Sequence, residues 1–309
     1  MDASIARLSL KTPSPLQELI FKGHTDTVTS VAWDTQGERL ASGSDDKTIR
    51  IWEALTGNLL HIFEGHTDIV TSVAWHPKEE RLASGSEDRT IRLWEASTGK
   101  ILHIFEGHTH EVSSIAWDPQ GERLASGSYD HTVRLWKASS GQVLYVLNGH
   151  THWVTSVAWH PKENRLASGS YDHTIHLWDV VSGNLLQTFN GHTDQVSSVA
   201  WHTQGENLAS GSADPAIHLW QASSEKAIDV FNGHTTWVTS VAWNADGTRL
   251  ASGSGDKTVR IWEASSKKNL HVFAGHAGWV TSVAWNPDGS RLASGSSDNT
   301  IRLWEIPKG

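Results

Sequence analysis

Apolar and polar residues alternate along this chain with a period of two, in short runs, and never with the 3.6-residue spacing of an amphipathic helix. VTSVAW (28–33), RLASGS (39–44), TIRIW (48–52) and LLHIF (59–63) are the first four such runs. They are rich in Val, Ile, Leu, Thr and Trp, which suit a half-buried pleated strand. Turn chemistry separates them: DTQGE, SDDK, ALTGN and a Gly-His segment. A later copy of the first turn reads NPDGS (286–290), where Pro presets φ and Gly supplies a positive φ. The whole pattern then recurs, with Gly-His at Gly23, Gly65, Gly107, Gly149, Gly191, Gly233 and Gly275, always 42 residues apart.

Six full units run from 23 to 274, and a seventh starts at Gly275 and stops at Gly309 after 35 residues. The last unit lacks the segment equivalent to NLLHIFE (58–64), and LQELIFK (16–22), of similar apolar character, stands directly before the first Gly-His. Seven complete units therefore exist only if the N-terminal segment completes the last one. The predicted fold is all-β: a seven-bladed β-propeller of four-stranded antiparallel blades, its ring closed by the N-terminal strand joining the last blade. Residues 16–309 form the single propeller domain in this reading, and residues 1–15, ending in KTPSP, a flexible lead.

The Gly-His opening, the LASGS-x-D segment in mid-unit, the closing Trp and the period together resemble the WD-repeat family over residues 16–309. One departure is that only Trp178-Asp179 carries the terminal Asp; elsewhere Glu53, Glu95, Lys137, Gln221, Glu263 or Glu305 follows the Trp. The resemblance implies a hydrogen-bonded set within each blade, which in the first blade falls on His24, Ser42, Asp46 and Trp52, with Ser44 the weaker choice for the hydroxyl. Ser, His and Asp in one constellation invite comparison with a catalytic triad. Seven copies cannot all be active sites, however, and no nucleophile-elbow motif accompanies them. The expectation is a set of struts and no enzyme.

Composition narrows the function further. The formal net charge is −9 and no basic cluster exceeds Lys267-Lys268, so nucleic acid is not the expected partner. No apolar run approaches the ~18 residues that span a bilayer, and MDASIARLSL has no apolar core of a secretory signal. Zero cysteines exclude thiol chemistry and Cys-ligated zinc. The expectation is a cytoplasmic, monomeric domain with no membrane contact, no cofactor and no dedicated metal.

Of the 17 tryptophans, 14 belong to the repeat; Trp153, Trp237 and Trp279 do not. All three are the third residue after the repeat His, where other units place Thr27, Ile69, Glu111 and Gln195. A position accepting Glu, Gln and Trp is not packed core, so exposed indoles are expected. The resemblance puts this position at the start of the innermost strand, on the top face near the central channel, where partners are often held. A second variable position precedes the repeat Asp: Asp45, Glu87, Tyr129, Tyr171, Ala213, Gly255 and Ser297. An acidic arc (Asp45, Glu87, Glu111) beside an aromatic arc (Tyr129, Trp153, Tyr171, Trp237, Trp279) predicts a protein or peptide partner with apolar and basic side chains. The rivals are small-ligand or carbohydrate stacking on the tryptophans, and indoles that merely fill the channel mouth. Near-identical units also fit recent amplification, or a consensus or engineered sequence without a dedicated ligand. His110, His131, His152 and His173 cluster in units three and four; a pH-sensitive cationic patch suits them better than a metal, since no carboxylate spacing singles out a site. Unit five departs most, with ADPAIHLW (213–220) replacing the usual D-x-T segment, and Pro215 predicts a less regular turn.

Overall fold

Joined by turns too short for anything but hairpins, the four alternating runs of each unit fold into one four-stranded antiparallel sheet. The computed structural model describes residues 18–224 and 226–307. After a leading strand, β1 (Glu18–Lys22), the first blade comprises β2 (Val28–Trp33), β3 (Arg39–Ser44), β4 (Ile49–Glu53) and β5 (Leu59–Phe63). Six further four-stranded sheets follow. Gly37 (φ 71°) and Gly289 (φ 70°) occupy the left-handed turn position assigned to them. The β2–β3 register shifts between Val28 and Ser30, and the same irregularity recurs in every blade. Among the described residues no helix is long and apolar enough to cross a membrane.

The ring closes as the unit count requires. β1 pairs with the last strand, Thr300–Glu305, placing Phe21 opposite Ile301 as Phe63 stands opposite Ile49. Phe21 is buried and stacks on Trp52 at 5.9 Å, repeating the Phe63–Trp94 contact at 5.6 Å. The lead at 1–15, with Leu16 and Gln17, lies outside the described residues.

The apolar cores lie between blades. One cluster joins Phe21, Ala293 and Ile301 of the last blade to Val28, Leu40 and Trp52 of the first, because a lone four-stranded sheet cannot cover its own faces. Polar bonds reinforce each contact near the channel. Trp75 Nε1–H donates to the Ala32 carbonyl (3.2 Å), Val73 N–H to Ser30 Oγ (3.1 Å), and Thr71 Oγ1–H to the Val112 carbonyl (2.6 Å). The seam repeats them: Trp33 donates to Ala284 (3.0 Å), Val31 to Ser282 (3.2 Å) and Thr281 to Val28. The innermost-strand tryptophans are thus more than core filler. Five of them, including the half-buried Trp117 and Trp243, line the far mouth of the channel, a cavity of about 560 Å³.

Candidate functional site

The struts expected from the repeat form in the first blade with the expected members. His24 Nδ1 lies 2.7 Å from Asp46 Oδ2, its Nε2 lies 2.7 Å from Ser42 Oγ, and Trp52 Nε1–H donates to the same hydroxyl at 2.8 Å. Ser44 does different work, accepting from the Asp46 N–H at 3.0 Å. Burial opposes the charge of Asp46, but hydrogen bonds from His24 and Thr48 outweigh it and hold the carboxyl well below its usual range. Burial pushes the His24 imidazole down, so the strut is a neutral His donating to a carboxylate.

Blade five breaks this pattern for a backbone reason. In the other six blades the residue after the Asp (Lys47, Arg89, His131, His173, Lys257 or Asn299) has φ between 66° and 70°. Pro215 cannot, since its ring holds φ near about −65°. Asp214 stands 3.7 Å from His192 Nδ1, against 2.7–2.9 Å in the sibling blades, and its side chain is 20% exposed against 10% or less.

The two variable positions share one surface because the backbone pins them together. The N–H of Asp45 donates to the Thr27 carbonyl, that of Glu87 to Ile69, Tyr129 to Glu111, Tyr171 to Trp153, Gly255 to Trp237 and Ser297 to Trp279. Asp45, Glu87, Tyr129 and Tyr171 face one cavity of about 310 Å³ at the channel mouth, with Ile69 and Gln195. Ile69 and Gln195 occupy the tryptophan position in their blades; variability there marked them, but their ordinary chemistry did not. Thr29, Thr71, Ser113, Thr155 and Ser197 also line the cavity, although a repeated residue looks purely architectural in sequence.

Trp153 is half-buried, stacked on Tyr129 at 4.4 Å with 11° between planes and tilted against Tyr171 at 5.0 Å. It therefore stiffens the tyrosine wall from behind and does not face the cavity. Trp237 and Trp279 meet edge to face at 5.5 Å and remain 38% and 52% exposed. Trp237 lies across Gly255, where a Cβ would come within 2.4 Å of the indole. The aromatic arc is thus two groups, because blade five contributes only Gln195 and Ala213 between them. Glu111 is held by His110 and does not face the cavity. His131 stacks on His152 at 5.7 Å, and His152 on Tyr171 at 5.5 Å. Among the described residues, three metal-capable side chains gather in blade five, as His192, Asp214 and His218, and not in the histidine group of blades three and four.

Comparison with known proteins agrees with this architecture. Residues 14–53, 57–95 and 99–137 match the family model described as WD domain, G-beta repeat, and residues 154–307 that described as the WDR19 first beta-propeller. The chain is similar to the ribosome biogenesis protein BOP1 homolog of Drosophila virilis, 47% identical over 58 residues covering 16% of this chain and 7% of that protein. The Drosophila ananassae homolog is 45% identical over 58 residues, with the same coverage of 16% and 7%. The chain spans about 7% of the length of these curated relatives. The repeat matches, the strut in each regular blade and the closed ring of seven four-stranded sheets agree: this chain belongs to the WD-repeat β-propeller family.

Proposed function

We propose that the propeller is a non-catalytic platform, a scaffold or sensor module, that grips a peptide segment of a protein partner at the top-face channel mouth. The observation that carries this reading is the single cavity faced by two carboxylates and two phenols. Burial, and after it neighbouring carboxylates, raise both Asp45 and Glu87 above their ordinary range; Asp45 is itself among the groups acting on Glu87. Two half-buried carboxylates that repel each other gain from a cation placed between them. The Tyr129 and Tyr171 rings add a cation–π surface worth about 0.5–2 kcal/mol, and Trp153 keeps them rigid. The ligand is thus a Lys or Arg side chain beside an apolar neighbour, with Glu111, Trp237 and Trp279 available to flanking residues. A monomeric, cytoplasmic domain at 16–309 that binds neither nucleic acid nor membrane belongs to the same proposal. The ribosome-biogenesis name belongs to relatives matched over 58 residues and assigns no partner here.

A peptide array probed with the chain, followed by calorimetry on the best binders, tests this. Binding should weaken with salt, fall at least about tenfold in Asp45→Asn/Glu87→Gln, equivalent to about 1.4 kcal/mol, and fall in Trp153→Ala. Peptides without basic residues that bind equally well, or full affinity in the double variant, would refute the reading. The exposed Trp237–Trp279 pair supports a second one, carbohydrate stacking; saturable fluorescence quenching by a glycan, lost in Trp237→Ala/Trp279→Ala, would favour it.

A further inference from the structure

Blade five differs from its siblings at three positions that meet in space. Pro215 replaces the residue with left-handed φ, Ala216 replaces a Thr, and His218 replaces an Arg found in five blades. In the first blade the Asp46 carboxylate receives His24 Nδ1 at 2.7 Å, Thr48 Oγ1–H at 2.6 Å and the Thr25 N–H at 3.1 Å. In blade five the Thr hydroxyl is gone and the His contact has opened to 3.7 Å. Asp214 keeps the Ala216 N–H at 2.9 Å and a long contact from Thr193 Oγ1 at 3.4 Å. The carboxylate has been released from its strut while remaining beside it.

Two imidazoles are released with it. His192 is 7% exposed, and its Nδ1 has no hydrogen-bond partner within the protein; nor has the buried Nδ1 of His218. Blade four is the natural control. It also carries a His at the Arg position, and His176 Nδ1 is likewise unpartnered, but His150 Nδ1 is committed to Asp172 at 2.8 Å. A single free ring nitrogen is an ordinary buried histidine. Two free nitrogens facing a freed carboxylate are a donor set.

We propose that His192, Asp214 and His218 form a binding site for one divalent transition cation of the zinc class, with solvent completing the coordination. Two imidazole nitrogens and one carboxylate oxygen suit zinc and its neighbours, whereas calcium and magnesium prefer all-oxygen sites. The three ligand atoms lie within 4.8 Å of one another, and bonds of about 2.0–2.2 Å at tetrahedral angles require separations near ~3.4 Å. His192 Nδ1 and Asp214 Oδ2, 3.7 Å apart, already stand near that spacing, so any remaining adjustment falls to the less constrained ring. His192 is fixed, because its Nε2 lies 2.6 Å from Ser210 Oγ, which also accepts the Trp220 indole N–H at 2.7 Å. With Nε2–H donating to Ser210, the Nδ1 lone pair of His192 is free for the cation, and the serine orients the ring as outer partners of metal-bound histidines do. His218 is the less constrained: it is half-buried and stacked on His192 at 4.2 Å with 28° between planes. An ion here would tie down the blade-five loop that separates the two aromatic groups of the top face.

The tag-free 309-residue chain, stripped with chelator, is titrated with Zn²⁺ by calorimetry and with Co²⁺ by visible absorption. One site per chain is expected, with the intense Co²⁺ bands of four-coordination. His218→Arg, which installs the sibling residue, and Asp214→Asn should each weaken it at least about 100-fold, since loss of even an outer partner costs about 10–100-fold. His176→Arg should leave it unchanged. Circular dichroism and thermal melting confirm folding of each variant, and if His218→Arg fails to fold, the Co²⁺ spectrum of Asp214→Asn decides. No saturable site below about 0.1 mM, a value equivalent to about −5.5 kcal/mol, or equal binding in Asp214→Asn or a folded His218→Arg variant, would overturn the proposal.

Discussion

Ser168 accepts the Trp178 indole N–H at 2.8 Å and meets His150 Nε2 at 2.7 Å, and it is fully buried. Ser168→Ala strands two buried polar atoms, each costing about 1–3 kcal/mol. Chemical denaturation should show a loss of about 2–4 kcal/mol, and a loss below about 0.5 kcal/mol would mean that the strut is not a stabilising unit. The same logic separates two aspartates. Asp172 is hydrogen-bonded to His150, while Asp214 has opened away from His192. In metal-free protein, Asp172→Asn should cost about 1–3 kcal/mol and Asp214→Asn less than about 1 kcal/mol.

At the scale of the element, closure rests on five residues. β1 supplies the outer strand of the last blade, and Phe21 is its one fully buried side chain. Its ring covers Trp52 across the seam, so Phe21→Ala removes both a large apolar contact and the latch of the ring. The expected loss is about 3–5 kcal/mol, with hydrogen exchange accelerating first in β1 and Thr300–Glu305. Uniform acceleration in all seven blades would show instead that the seam is no weaker than the other interfaces. The other outer strands behave differently because each is covalently continuous with its own blade.

At the scale of the whole molecule, five of the seven blades carry a titrating unit of the same kind, which gives a pH dependence of definite sign. Burial lowers the imidazoles of His24, His66, His108, His234 and His276. His176 is lowered to about 4 by burial and then by His150. For a base with a depressed folded value, the unfolded chain takes up the proton first, so stability falls as pH drops below about 6.5 toward the folded value. The carboxylates act next. Asp256 and Asp298 are held at about 2 against burial by their Thr and His partners, and stability drawn from them is lost as pH falls below about 4 toward that value. The melting temperature should be level from pH 8 to 7, decline from about 6.5 and drop steeply below about 4. A melting temperature unchanged between pH 7 and 5 would contradict the neutral-histidine strut.

The sequence by itself determined the blade, the count and the closure. Periods of two and 42 are properties of the chain, and 35 residues plus a leading apolar segment leave one way to complete seven sheets. Comparison of units also picked out the invariant His, Ser, Asp and Trp, while their joining into one strut was what the resemblance to WD repeats implied. What one unit does to its neighbour is not written in either unit. That Trp153 stiffens two tyrosines, that the aromatic arc is broken at blade five, and that Trp33 donates across the seam to Ala284 depend on how sheets are set around the axis. Pro215 was legible as an irregular turn, but the freed His192, Asp214 and His218 were not. Their release follows from a φ angle and a few ångströms of displacement, quantities that only the packed backbone sets.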